Sequence, residues 1–153
     1  IIISLFQEYI NASGIGVDIS QSAIDIANMN KALLANPKRL EFIKDDFSNY
    51  NLNNFDIIIA NPPYISYEDT NLQNSVNKYE PHLALFSEKN GLDFYEKILN
   101  NASTVNSNQF YLFLEIGIGQ EVEVSNLLNN NNFTIVSVES DLAKIPRCIV
   151  AKK

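Results

Sequence analysis

The apolar run Ile57-Ile58-Ile59-Ala60 leads directly into Asn61-Pro62-Pro63-Tyr64. A short β-branched run bounded by a breaker predicts a strand over 55–60, buried on both faces. Two successive prolines have no N–H to give a ladder, so the strand must stop at Asn61. Each proline also pushes the residue before it toward extended geometry, which makes the corner stiff. Such a corner lies at a strand's carboxyl end, the edge where open α/β sheets take their ligands. It offers an amide, a prolyl carbonyl and an aromatic ring. Pro-Pro alone does no more than end a strand with Tyr64 packed beneath it. The buried strand, the preceding asparagine and the following aromatic together predict a binding corner.

Two acids stand at comparable positions. Asp18 closes a short apolar strand and precedes a serine-capped helix. A carboxylate there can accept from both hydroxyls of a ribose, as in nucleotide-binding α/β domains; the alternative is a helix-proximal cap. Asp46-Phe47 closes another strand, where the acid could accept from an adenine amine while the ring packs on the base. The alternative is a turn aspartate beside a core phenylalanine. In dinucleotide-binding folds the ribose acid follows a glycine-rich loop by about 20 residues, which places any such loop before Ile1. Gly14-Ile15-Gly16 precedes a strand rather than linking strand to helix. Gly117-Ile118-Gly119 lies between strand and helix but lacks a third glycine, so it reads as a tight turn.

The elements that must position these groups alternate along the chain. Residues 1–10 carry Ile1, Ile2, Leu5, Phe6, Tyr9 and Ile10 at helical spacing. A turn over 11–14 leads to a strand over 15–19 and a helix capped by Ser20 or Ser22. That helix is predicted to bury Ala23, Ile26, Ala27, Asn30, Leu33 and Leu34, and Asn36-Pro37 ends it. A strand over 40–44 and a polar loop over 49–54 precede the 55–60 strand. Residues 66–90 show no period and read as a long functional loop. A helix over 91–102 with Leu92, Tyr95, Ile98 and Leu99 inward follows. Then come a strand over 109–116, a helix over 120–128 burying Val124, Leu127 and Leu128, and strands over 133–138 and 147–151. The order predicts an α/β, mostly parallel doubly wound sheet with a late antiparallel pair.

Bulk properties narrow the chemistry. At 153 residues the chain is long enough for one domain with a sizeable core, and 46% apolar against 19% charged is a globular balance. A net charge of −7 and a pI near 4.6 argue against affinity resting on phosphate contacts. The lone cysteine, Cys148, excludes an internal disulfide, fits a reducing cytoplasmic compartment and reads as a core thiol. No apolar run approaches the ~18 residues of a membrane span, and residues 1–5 lack the features of a signal peptide. No metal-ligand constellation stands out. The asparagines of 129–132 read as a solvated turn.

The strand-Asp-Ile-Ser, strand-Asp-Phe and strand-Asn-Pro-Pro-Tyr series, with Tyr79-Glu80-Pro81, Leu83-Ala84-Leu85-Phe86 and Gly91-Leu92-x-Phe94-Tyr95, resembles the HemK/PrmC-type glutamine methyltransferases. Leu114-Glu115-Ile116-Gly117 with Gln120, and Arg147-Cys148-Ile149-Val150, extend the resemblance to the end of the chain. Asn-Pro-Pro-Tyr is shared with nucleobase amine methyltransferases; the Tyr79 to Phe86 segment narrows the resemblance to the glutamine enzymes. Ser87-Glu88-Lys89-Asn90-Gly91 departs from the family's glycine-rich pattern there. The resemblance implies a Rossmann-like class I S-adenosylmethionine-dependent methyltransferase acting on the glutamine of the Gly-Gly-Gln motif of peptide chain release factors. By position, Asp18 would bind the cofactor ribose and Asp46 the adenine side, with Phe47 on the base. Asn61 and the Pro62 carbonyl would accept the two hydrogens of the substrate amide, with Pro63 and Tyr64 shaping the pocket and Asn61 also near the cofactor. His82 would be a loop residue without a catalytic part.

By the same resemblance residues 1–153 would be a catalytic domain incomplete at its N-terminus, Ile1 to Leu5 being the helix after the cofactor loop. The missing strand would sit between the Asp18 and Asn61 strands, and the isolated chain would bind S-adenosylmethionine weakly or not at all. Two competitors stand beside the glutamine enzyme: a nucleic-acid amine methyltransferase, disfavoured by the acidic charge, and an inactive fragment.

Overall fold

The computed structural model describes residues 1–34, 38–66, 85–107 and 109–153. The chain divides into two compact units, Ile1–Tyr50 and Asn51–Lys153.

In the first unit, α1 (Ile2–Glu8) leads to β1 (Gly14–Asp18), α2 (Gln21–Leu34) and β2 (Leu40–Lys44). The strands pair in parallel with Gly14 opposite Leu40 and Asp18 opposite Lys44. A parallel pair needs a crossover, and α2 supplies it. The helix starts where Ser20 Oγ accepts from the Ala23 N–H at 3.3 Å, which settles the cap on Ser20. Gly16 faces Phe42 in register, and a Cβ on Gly16 would stand 2.5 Å from that ring and force it to shift. Phe6, Ile24 and Leu40 are buried in this unit.

Two helical faces differ from the periodicity reading. In α1 only Phe6 is buried, while Ile1, Tyr9 and Ile10 are exposed. In α2 the inward line is Ala23, Ile24, Ala27 and Lys31, whereas Ile26, Leu33 and Leu34 are exposed. The reason is visible at Lys31. Its stem is half-buried and its ammonium donates to the Leu40 carbonyl, so an amphipathic lysine takes a place the apolar count gave to leucine. The predicted stop at Asn36-Pro37 lies outside the described residues.

The second unit contains β3 (Ile57–Ala60), β4 (Ile65–Ser66), β5 (Phe86–Ser87), a single helical turn α3 (Glu88–Gly91), and α4 (Asp93–Ala102). After these come β6 (Tyr111–Glu115), α5 (Glu121–Asn130), β7 (Thr134–Ser140) and β8 (Pro146–Lys152). The main sheet has the order β3-β6-β8-β7; β3 and β6 are parallel, and β8 runs antiparallel to both neighbours. The predicted late antiparallel pair is β7-β8. Its turn is tied by Asp141, whose Oδ1 accepts from the Ala143 and Ile145 N–H groups at 2.8 and 3.0 Å. Those bonds, the Ile145 one foremost, together with the Arg147 guanidinium hold the Asp141 carboxyl below its ordinary value.

β6 is the buried centre. Phe110, Leu112, Leu114 and Ile116 are fully buried, the period of two expected when one face of a strand points into the core. From α4, Tyr95, Ile98, Leu99 and Ala102 are buried, and from α5, Val124 and Leu128, while Leu92 and Leu127, also predicted inward, are half-buried. Each fully buried leucine contributes about 1.5–3 kcal/mol relative to exposure.

The strand before the corner departs from expectation. Ile57 and Ile59 are 51% and 44% exposed, while Ile58 and Ala60 are half-buried, so β3 is not buried on both faces. Among the described residues it is the edge of its sheet, paired with β6. Two features were not read from sequence. The 49–54 stretch contains a 3-10 turn, Leu52–Asn54, that buries Leu52, and β4 and β5 form a parallel pair with Ile65 opposite Phe86. Most of the stretch read as a loop, with His82, lies outside the described residues. Among the described residues no helix is long and apolar enough to cross a membrane, and no group of His, Cys, Asp and Glu could hold a metal ion.

Candidate functional site

The corner after β3 is irregular in the way two prolines require: residues 61–64 join neither sheet nor helix. Asn61 is exposed, Pro62 buried, Pro63 and Tyr64 half-buried. What fixes the corner is a set of polar contacts to its last residue. The Tyr64 hydroxyl donates to Glu115 Oε1 at 3.3 Å, and the Tyr64 carbonyl accepts from Gln120 Nε2 at 2.9 Å. The other end of the same amide, Gln120 Oε1, accepts from the Gly117 N–H at 2.9 Å. Tyr95, reaching from α4, donates to the Glu115 carbonyl at 2.7 Å. Burial, with Tyr64 and Glu115 nearby, pushes the Tyr95 phenol well above its ordinary pKa, so it remains a donor.

Two glycines make room for this arrangement. Gly91 has φ +85, and a Cβ there would lie 2.1 Å from the Tyr64 carbonyl oxygen. At Gly117 a Cβ would lie 2.8 Å from Gln120 Oε1 and 3.0 Å from the Tyr64 ring. The Gly117-Ile118-Gly119 segment is the tight turn predicted for it, closed by the Gln120 N–H on the Gly117 carbonyl at 3.2 Å. Among the described residues, the Asn61 side-chain amide and the Pro62 carbonyl have no hydrogen-bond partner. They are adjacent acceptors on a backbone that Tyr64 anchors.

The acids lie in the first unit, at the carboxyl ends of its parallel strands. Asp18 is exposed, and its Oδ1 accepts from the Ser20 N–H at 2.8 Å. Asp46 is exposed and caps the 3-10 turn Phe47–Asn49, its Oδ1 accepting from the Ser48 N–H and Oγ at 2.9 and 2.8 Å. Phe47 is half-buried. The Asp45 N–H donates to the Asp18 carbonyl at 3.1 Å, which ties the two strand ends together. The local roles weighed as alternatives, cap for Asp18 and turn aspartate for Asp46, are therefore present. They use Oδ1 of each carboxylate in the bonds described.

The structure thus gathers Asp18, Asp46 and Phe47 on one sheet edge of the first unit, and Asn61 to Tyr64 on a clamped corner of the second. Sequence reading missed the clamp. Tyr95 counted only as a core residue, and Gly91 and Gln120 only as parts of motifs. A buried tyrosine whose hydroxyl needs a partner is the one signal that could have found it. Cys148 sits opposite Glu115 in the ladder, and partial burial chiefly pushes its thiol pKa up. It stays protonated and is a poor nucleophile.

No family model matches the chain. It is 34% identical over 149 residues to a release factor glutamine methyltransferase of Francisella tularensis, covering 97% of this chain and 52% of the relative. A release factor glutamine methyltransferase of Lactococcus lactis is 39% identical over 155 residues, covering 99% and 56%. A bifunctional methyltransferase of Rickettsia conorii is 38% identical over 152 residues, covering 98% of this chain and 29% of the relative. The chain spans about half the length of the first two. Among solved structures, the ribosomal protein L11 methylase of Lactobacillus delbrueckii matches with a TM-score of 0.61 at 18% identity, over 99% of this chain and 64% of that one. A SAM-dependent methyltransferase of Aquifex aeolicus matches with a TM-score of 0.59 at 15% identity, over 97% and 76%. The fold is the Rossmann-like α/β fold of class I methyltransferases.

Proposed function

We propose that this chain, a homologue of release factor glutamine methyltransferases over nearly its whole length, belongs to an enzyme that methylates the glutamine side-chain amide in the Gly-Gly-Gln motif of peptide chain release factors. The observation that carries the reading is a pair of acceptors, Asn61 and the Pro62 carbonyl, without partners among the described residues, on a corner held by Gln120 and Glu115.

The chemistry asks for such a pair. An amide nitrogen is a poor nucleophile because its lone pair is delocalised into the carbonyl. The Asn61 side-chain oxygen and the Pro62 carbonyl accept the two amide hydrogens and favour a pyramidal nitrogen, on which the lone pair is localised. As the new N–C bond forms, positive charge grows on nitrogen, and two fixed carbonyl dipoles stabilise it. Holding the nitrogen in line supplies much of the remaining acceleration. The methylated nitrogen then loses one proton to solvent, so no strong general base is required. Pro63 and Tyr64 shape the pocket around the side chain.

S-adenosylmethionine, when bound, supplies the methyl group as an already activated sulfonium. The first unit fits it by donor chemistry. Asp18 is an exposed carboxylate at a strand end whose Oδ2 has no partner among the described residues, as binding a ribose diol requires. Asp46 would accept from the adenine amine, with Phe47 packing on the base. The enzyme works in the cytoplasm, beside its release factor.

The test is methyl transfer by the full-length protein to release factor, DNA and RNA in parallel, with the modified residue read by peptide mass spectrometry. One methyl on the Gly-Gly-Gln glutamine is the expected product. Product on nucleic acid alone would overturn the substrate.

A further inference from the structure

We propose that Gln120 is a positioning residue for the substrate corner, setting where Asn61 and the Pro62 carbonyl stand; the inference rests on the substrate reading above. Its side-chain amide is used at both ends. Oε1 takes the Gly117 N–H, which can only donate, and Nε2 gives to the Tyr64 carbonyl, which can only accept. The two backbone partners therefore fix the amide orientation. Tyr64 lies only two residues beyond Pro62, and the double proline transmits its position with little freedom.

The second grip, Tyr64 hydroxyl on Glu115, holds the ring. The Gln120 bond holds the backbone carbonyl of the corner. Gly91 packs against that same carbonyl, and a Cβ there would lie 2.1 Å from the oxygen. The bond that Gln120 makes to the corner is to Tyr64, and its action on Asn61 and the Pro62 carbonyl passes through that residue.

The variant Gln120→Glu separates positioning from folding. The new carboxyl keeps an acceptor for Gly117. When ionised, it sets an oxygen against the Tyr64 carbonyl; when protonated, it can again donate. The titratable groups around it in this network are the Tyr64 and Tyr95 hydroxyls and Glu115, all present in the wild type as well. The ratio of variant to wild-type activity therefore reports the new carboxyl. In the full-length protein, kcat on release factor should fall about ten-fold or more at neutral pH. S-adenosylhomocysteine affinity should stay within about two-fold, and the activity ratio should recover as pH falls. Gln120→Met, of similar length and without a donor, should show the same loss with no recovery, and it carries the test if Gln120→Glu does not fold.

Wild-type rates in both variants, or methylation and S-adenosylhomocysteine binding falling together, would overturn the role of Gln120. Wild-type protein that binds S-adenosylhomocysteine but leaves release factor unmethylated would overturn the substrate reading, and this inference with it.

Discussion

The acid-bearing strand ends and the proline corner are held in place by opposite means. The carboxylates of Asp18 and Asp46 are oriented by bonds to backbone groups two residues on, Asp18 to Ser20 and Asp46 to Ser48. The corner is fixed across the fold. Tyr64 is bound to Glu115, 51 positions away, and to Gln120, 56 positions away, while Gly91 admits it from a third element. Groups held locally keep their geometry as long as their own turn survives. A group held at long range depends on the packing of every element that supplies a contact.

That contrast can be broken on either side. The largest effect is expected at Gly91. Gly91→Ala adds a Cβ at 2.1 Å from a backbone oxygen, in a left-handed conformation that disfavours any side chain. It should cost about 3 kcal/mol of stability, measured by urea unfolding, and remove most methylation. A fully stable, fully active variant would mean that the corner is not packed as described.

On the local side, Asp18→Asn keeps an oxygen for the Ser20 N–H and so preserves the helix entry. It removes the charge that favours a ribose diol. In the full-length protein we expect S-adenosylhomocysteine affinity to fall about ten-fold, with stability unchanged, by calorimetry and thermal melting. A loss of stability without a loss of affinity would leave Asp18 as a cap alone.

The smallest effect is at the rear of the clamp. Tyr95→Phe deletes the donor to the Glu115 carbonyl while keeping the buried ring. About 1 kcal/mol should be lost, read as a lowered Tm, with a milder fall in kcat than at Gln120.

The same contrast explains how much the chain discloses before it folds. A serine cap at Ser20 or Ser22, the acids at the strand ends, the strand stop at Asn61 and the β7-β8 hairpin all follow from neighbours in sequence, and all are legible there. Central packing is legible too, because Tyr95, Ile98, Leu99, Val124 and Leu128 repeat with the helical period. The inward face of α2 is not, since Lys31 lies along it and the apolar count favoured Ile26 and Leu33. β3 misled for a related reason. A β-branched run signals a strand, but whether both faces are covered depends on neighbours the run does not contain. The grip of Gln120 on Tyr64 leaves no periodic trace at all, and only tertiary structure discloses it.

The central claim is that Asn61 and Pro62 receive the substrate amide. Asn61→Ala tests it most directly, because Asn61 is exposed and has no partner among the described residues whose loss would disturb the fold. In the full-length protein, with wild type alongside, glutamine methylation of release factor should fall about 100-fold or more in kcat, with S-adenosylhomocysteine binding within a few-fold of wild type. Methylation at the wild-type rate by Asn61→Ala would contradict the account.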